Sequence, residues 1–489
     1  MTNCFRSPHR FRCGTLLTST HETESMASET PRASESMLNV QEFLDARKIA
    51  PLQWMILGLC FLVQITEGFH SAAMAFVAPV VTQQLGISRL ALGQVLSAVL
   101  VGLGIGALVA GPVADTIGRR RVLIASVMVC SVGSLLTASA NGATAFMIYR
   151  LLAGIGIGAA MPNCTTLAAE FLPTRRRALL SNLMFCGFPL GASLGGFLCA
   201  WLIPHSGWRS VFLAGGLAPL LLAAALTRIP ESIGFMAAKQ WPAEKIRAVL
   251  ERIAGDDVHA LARIRSTGGF QANAAISSPV SESKPGAPAS VASPLGVILA
   301  PRLLLSTLML WLTYFMGLFL FYLLTGWMPT LVREAGYSVS RAAIATALFP
   351  LGGGVGALFC GWLMDRANPT RVVASAYLLT AALMLVLAAS THSIGSLMVA
   401  TLLAGIAMNG AQTSMPVLAA SSYPTRARAS GVSWMLGAGR AGGVLGAFGG
   451  GVLMQAGFSM VEIIGGLAIP AALAAMALFV KERAERRMG

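Results

Sequence analysis

The sequence predicts an all-α membrane protein: twelve transmembrane helices in two six-helix halves related by duplication. Three observations carry this. The 489 residues are 55% hydrophobic and only 11% charged, whereas a soluble domain is about 25% charged, so lipid must cover the apolar side chains. The apolar residues fall into twelve runs long enough to cross a bilayer, which takes about 20 residues each. Short strings of the first half recur in the second at a nearly constant offset.

In chain order, residues 1–50 are polar, lack the apolar core of a signal peptide, and read as a disordered cytoplasmic extension, with Met26 and Met37 as possible alternative starts. The first half, 51–228, contains spans 52–77, 91–110, 122–140, 144–168, 178–202 and 210–228. A cytoplasmic central loop, 229–300, follows. Within it 241–265 has the spacing of one amphipathic helix, with Ile246, Val249, Leu250, Ile253, Val258, Leu261 and Ile264 apolar among charges. Residues 266–296 are rich in Ser, Pro, Gly and Ala and read as a flexible linker. The second half, 301–480, contains spans 302–328, 341–361, 372–390, 395–419, 430–454 and 461–480, and 481–489 form a cytoplasmic tail. Only helices satisfy their own backbone in hydrocarbon, so open sheets are excluded.

The net charge of +15 does not point to nucleic acid, because the basic residues cluster in alternate short loops. Arg119–Arg121, Arg175–Arg177, Arg366 with Arg371, and Arg426 with Arg428 follow even-numbered spans, and the intervening loops are poor in arginine. By the positive-inside rule the even loops and both termini are cytoplasmic. The eight cysteines have no metal-binding spacing, six lie singly inside apolar runs, and they read as small buried hydrophobes. No phosphate-binding loop is present, and nothing calls for catalysis, a metal or a cofactor other than the proton.

Pro173-Thr-Arg-Arg-Arg-Ala178 recurs as Pro424-Thr-Arg-Ala-Arg-Ala429, and Leu152-Ala-Gly-Ile155 as Leu403-Ala-Gly-Ile406, both 251 residues on; Gly111 and Asp115 recur as Gly361 and Asp365. Paired six-helix repeats are the plan of a secondary transporter with its site between the halves near the midplane.

Gly111-x-x-x-Asp115-x-x-Gly118-Arg119-Arg120-Arg121 resembles the cytoplasmic signature loop of the major facilitator superfamily, and Arg150-x-x-x-Gly154-x-Gly156-x-Gly158 its fourth-span motif. Within it the chain resembles the aromatic acid/proton symporters. The strings are Gly68-Phe69 with Phe76-Val-Ala-Pro79, Met161-Pro-Asn163 with Glu170, Pro230-Glu-Ser232, Gly410-Ala-Gln412, Tyr423-Pro-Thr425 and Gly439-Arg440. One motif departs: Glu67-Gly-Phe-His70 stands where the family usually carries Asp-Gly-Phe-Asp. The resemblance implies a major facilitator fold and proton-coupled import of a benzoate-type carboxylate by alternating access across a bacterial inner membrane, in a lipid-embedded monomer. Import of another organic acid, drug/proton efflux, or a non-transporting sensor on the same scaffold are the alternatives.

Candidate site residues follow from charge inside apolar runs. Glu67 would cost about 2.5–3.5 kcal/mol at the bilayer centre as an unpaired charge, so it is a candidate proton carrier, or else a carboxylate reaching to the outer surface. His70 shares its helical face at i+3; the two could share a proton or form a static pair. Arg150 either assists proton movement or snorkels to the interface. Arg440 can grip a carboxylate bidentately, or else form a structural salt bridge, with Glu67 as one partner. Trp311, Tyr314 and Trp434 could stack on a ring or merely pack, and Asn163, Asn409 and Gln412 read as cavity-lining because an unpaired amide in hydrocarbon is costly. Gly111, Asp115, Gly118, Arg119, Arg120 and Glu170, with Gly361, Asp365 and Arg366 of the repeat, form the candidate cytoplasmic gate. Asp115, Arg119 and Glu170 are expected to pair in the outward-open state and separate as the halves rock. The Gly102/Gly106, Gly191/Gly195, Gly352/Gly356 and Gly439/Gly443 pairs are read as close-packing positions.

Overall fold

The computed structural model describes residues 37–265, 267, 269–271, 294–424 and 427–488. A strand, β1 (Met37–Asn39), and a short helix, α1 (Val40–Asp45), precede the bundle. The first half contains α2 (Pro51–Leu85), α3 (Arg89–Ile117), α4 (Arg119–Ala138), α5 (Ala143–Phe171), α6 (Thr174–Phe185) running into α7 (Gly187–Ser206), and α8 (Trp208–Leu226). Then come α9 (Ile233–Ala238), α10 (Ala243–Ala254), α11 (Val258–Arg265), β2 (Gly269–Gln271) and α12 (Pro294–Ile298). The second half contains α13 (Pro301–Glu334), α14 (Val339–Met364), α15 (Pro369–Ala389), α16 (Ile394–Ser422), α17 (Arg428–Gln455), α18 (Met460–Gly466) and α19 (Ala468–Met488). All twelve expected spans are present. Eleven are long and apolar enough to cross a membrane, counting α6 with α7 and α18 with α19 as single spans. The twelfth, α17, has 28 residues, about 42 Å of helix at 1.5 Å per residue, but carries Arg440 among glycines.

The duplication is written into local chemistry. Pro51 and Pro301, 250 residues apart, each open the first long helix of a half, where a missing N–H costs nothing. Ser88 and Ser338, also 250 apart, cap the next helices by accepting from the amides of Ala91 (3.2 Å) and Arg341 (3.3 Å). Close packing repeats too. A Cβ on Gly102 or Gly106 would overlap the backbone of Leu151 or Ile155, and one on Gly352 or Gly356 that of Leu402 or Ile406. Thus α3 meets α5 as α14 meets α16.

Several boundaries differ from expectation. Residues 37–50 are ordered: β1 pairs in parallel with β2, Met37 opposite Gly269, and Phe43 and Leu44 of α1 are buried. The remainder of the 1–50 extension and most of the 266–296 linker lie outside the described residues. The amphipathic helix of 241–265 is two helices, because Gly255 (φ 59°) turns the chain between them. The fifth span breaks at Cys186 and the twelfth at Leu467.

Under the first half, β1, α1 and α9–α11 form a platform sharing one apolar core with the ends of α2 and α5, through Phe43, Ile56, Phe171 and Leu250. Polar clips secure it. Arg47 pairs with Asp257 at 2.5 Å. Asp45 accepts from the Thr174 amide (2.5 Å) and hydroxyl (2.8 Å), capping α6 from outside. Burial pushes the Asp45 carboxyl up, but the Thr174 donors, with Gln41 and Arg177, outweigh it and hold it below its ordinary value. The Ala260 amide, aided by Arg47, holds Asp257 low as well.

The platform lies at the end of the bundle that carries Arg119–Arg121 and Arg175–Arg177, hereafter the arginine-rich face. At the opposite, far face the halves share one core, with Phe76, Val95, Trp327 and Phe349 in a single cluster. Direct polar contacts between the halves gather there too, with Ser71 meeting the Tyr322 hydroxyl at mid-depth. Arg89 pairs with Glu334 (3.0 Å) and donates to Met454 O (2.8 Å), Ser97 donates to Val444 O (3.1 Å), and Ser340 to Ala200 O (2.8 Å). Toward the arginine-rich face the cores are separate, one per half. The molecule is closed at the far face and parted at the arginine-rich one.

Candidate functional site

On the second half, Arg440 sits twelve residues into the 28-residue α17, about midway through the bundle. It is half-buried, and among the described residues no carboxylate pairs with it. Glycines make room around it: a side chain on Gly439 would strike the ring of Tyr314, and one on Gly443 the ring of Tyr322. Both tyrosine hydroxyls lie within electrostatic reach of the guanidinium. Gln412 lies beside Tyr314, and its Oε1 accepts from the buried Tyr377 hydroxyl at 2.5 Å. Nearer the arginine-rich face, Trp311 and Trp434 stack on each other, centroids 6.0 Å apart and planes at 19°, and half of Trp434 is exposed. A cation flanked by aromatic rings and neutral donors suits an anion on an aromatic ring.

Asn409 does not belong to this group. Its amide donates to Phe349 O (3.2 Å) and Gly405 O (3.0 Å), tying α14 to α16 with both hydrogens spent. Asn163 likewise donates to Ala159 O within its own helix (2.8 Å). Asn409 thus has no donor left over for a ligand, while Asn163 spends one of its two on its own helix.

On the first half, Glu67 lies midway along α2 and is 3% exposed, and its Oε1 has no protein partner. It neither reaches the surface nor pairs with Arg440. It makes no hydrogen bond to His70, whose ring is instead turned to the Gly215 backbone. Three residues turn a helix by about 300°, enough to aim His70 at α8, where its ring meets Phe69 edge-on (5.4 Å) and lies against Gly215. Arg150 is wholly buried rather than interfacial. It donates to the His70 carbonyl and lies 5.7 Å from the Phe212 ring centroid. Gln64, one turn from Glu67, is buried with neither amide atom paired to protein. Buried unpaired polar groups cost about 1–3 kcal/mol each, which makes Gln64, Glu67 and Arg150, with His70 beside them, a candidate functional strip.

The two sides meet at a cavity of about 30 Å³, lined by Gly68, Ser71, Ala72 and Phe76 of α2, Phe188 and Ala192 of α7, Phe321, Tyr322 and Thr325 of α13, and Thr346 and Pro350 of α14. Ser71 is one turn on from Glu67 and faces the Tyr322 hydroxyl.

At the arginine-rich face the expected loop shrinks to one residue. Helix α3 runs through Gly111 to Ile117, and only Gly118, at φ 107°, turns the chain. A Cβ there would run into the Glu231 carboxylate. Arg119 joins Asp115 (3.6 Å) and Glu170 (3.3 Å). Glu170 accepts from Ser232 and from the Gly234 amide, and Glu231 from the Arg120 amide at 2.8 Å. The partners named here belong to the first half and the central loop that follows it, and these pairs stand with this face parted, which differs from the expectation that they separate in such a state. In the repeat, Asp365 ends α14 just past Gly361, and Arg366 lies 4.0 Å over the Trp362 ring, a cation–π contact in place of the ion pairs.

Sequence reasoning missed Gln64, Ser71, Tyr377 and Glu231 as site residues. Gln64 carried a usable signal, an amide one turn from a buried acid. Glu231 lay within the Pro230-Glu-Ser232 string but was not singled out there, and Ser71 and Tyr377 gave no signal, since hydroxyls in helices are ordinary.

The Major Facilitator Superfamily model matches residues 60–345 and, in a second match, 310–488. A gallate transporter of Pseudomonas putida is 46% identical over 454 residues, covering 93% of this chain and 97% of that protein. The 4-hydroxybenzoate transporter PcaK of Acinetobacter baylyi is 43% identical over 458 residues, 94% and 97% of the two chains. Among solved structures, the inward-open conformation of the xylose transporter XylE from E. coli superposes with a TM-score of 0.65, covering 87% of this chain and 95% of that one. At 17% identity that likeness is one of fold.

Proposed function

The chain belongs to the Major Facilitator Superfamily, and on that premise we propose that it imports a small aromatic carboxylate together with a proton across the bacterial inner membrane. It is a transporter rather than an enzyme. The observation that carries the reading is Arg440: a guanidinium without an acid partner among the described residues, flanked by Tyr314 and Tyr322 at mid-depth where the halves face each other. The names of the gallate and 4-hydroxybenzoate transporters support the same substrate class.

In this reading the arginine-rich face and both termini are cytoplasmic, the structure is the inward-open state, and one chain suffices. The acid enters from outside as its anion, and Arg440 grips the carboxylate through paired N–H donors. Glu67 takes a proton and becomes neutral, which removes the cost of a buried charge as the halves close. Coupling between the two runs through the central cavity: Glu67, Ser71 one turn on, Tyr322 across the gap, then Arg440. His70 holds Arg150 through its backbone carbonyl. Release of acid and proton to the cytoplasm resets the cycle.

Uptake of labelled 4-hydroxybenzoate into cells, with and without a proton uncoupler, tests this. Accumulation should collapse with the uncoupler, and uptake indifferent to it would exclude symport. Glu67→Gln should abolish accumulation driven by a pH gradient while substrate exchange at equal pH continues.

A further inference from the structure

Gln412 is 8% exposed, and one end of its amide is unspent. Its Oε1 accepts from the Tyr377 hydroxyl, while its Nε2 has no protein partner. With Tyr377 donating, Oε1 is the accepting end and the Nε2 hydrogens are the donors left on offer, beside the Tyr314 hydroxyl. Gly317 makes the pairing possible, since a Cβ there would overlap both Gln412 Oε1 and the Tyr377 hydroxyl. In the 250-residue repeat Gly317 is the counterpart of Glu67, so this amide lies at the depth of the proton site. Tyr314, one turn away, has Gln412 and Arg440 within reach of its hydroxyl.

We propose that Gln412 Nε2 donates to a ring hydroxyl of the substrate while Arg440 holds the carboxylate, so that this protein selects hydroxylated over unhydroxylated aromatic acids, with Tyr377 as the positioning residue. The inference rests on the transport reading above and sharpens it. A charged fork suits the carboxylate; a neutral amide donor suits a phenolic oxygen. Discrimination comes mainly from penalty. A ring without a hydroxyl buries the amide with its donor unpaired, and sites built to bond a substrate hydroxyl reject analogues lacking it far more strongly than apolar pockets reject a missing methylene.

The test is binding of benzoate, 3-hydroxybenzoate and 4-hydroxybenzoate to the purified full-length protein in detergent, by calorimetry. The wild type should bind the better hydroxybenzoate about tenfold or more tighter than benzoate. Gln412→Leu should bring that ratio to within about threefold, by weakening the hydroxybenzoate and not benzoate. Tyr377→Phe, which leaves Gln412 in place, should lower the ratio in the same direction. Equal weakening of all three acids by Gln412→Leu would assign the amide to the carboxylate and overturn the proposal. An unchanged ratio would place Gln412 outside the site and overturn it as well. A wild type that binds none of the three overturns the transport reading itself, an outcome distinct from either.

Discussion

Arg440 is the residue on which the proposed reading turns. A guanidinium inside an apolar run is conspicuous, and the structure gives it tyrosine neighbours but no carboxylate partner. Arg440→Lys keeps the charge and loses the planar fork. It should weaken every aromatic acid by about tenfold or more and leave the hydroxybenzoate-to-benzoate ratio unchanged, as calorimetry would show. Glu67 was legible for the same reason. The Glu67–His70 pair was misread because i, i+3 spacing puts two side chains near one another without aiming them at the same neighbour. His70 went to α8. Asn409 was misread because polarity in a span looks identical whether the amide faces a cavity or, as here, the carbonyls of the next helix. Tyr377 had no signal: its role depends on Gly317 vacating the space between it and Gln412.

At the scale of elements, hydropathy placed all twelve spans, because the bilayer demands long uninterrupted apolar helices. The platform was only half legible. A three-residue strand pairing with another 232 residues away leaves no periodicity to read, so β1 and α1 looked like part of a disordered tail. Its clips make a pH prediction. Asp45 and Asp257 are held below the ordinary carboxylate value of 3.8. Their stabilising contribution is therefore complete above that value and is lost as pH falls through the depressed folded values. Protease cleavage within 37–47 should rise on acidification below about pH 4, and Asp45→Asn should raise it at neutral pH. Cleavage indifferent to both would show that the apolar contacts of Phe43 and Leu44 alone hold the segment.

For the whole molecule, the balance between states rests on few polar contacts. Arg89 and Glu334 are about half exposed, so their pair is worth about 0–1 kcal/mol, enough to change a two-state ratio by up to about fivefold. Glu334→Gln should therefore move the population toward the form open at the far face by no more than that. Spin-label distances across the far face would show it, and a complete switch would mean the pair does more than an exposed ion pair can. The ribbon of β1 and β2 also bears on how the chain is made. Synthesis must pass residue 271 before Met37–Asn39 finds its partner, and by then all six spans of the first half exist and none of the second. The described contacts that close the platform come from residues before α12. The ribosome therefore delivers a finished first half, sealed by a strand it kept waiting, before the second half begins to emerge. A gene cut between β2 and α12 would yield two polypeptides that meet in the bilayer as ready-made partners.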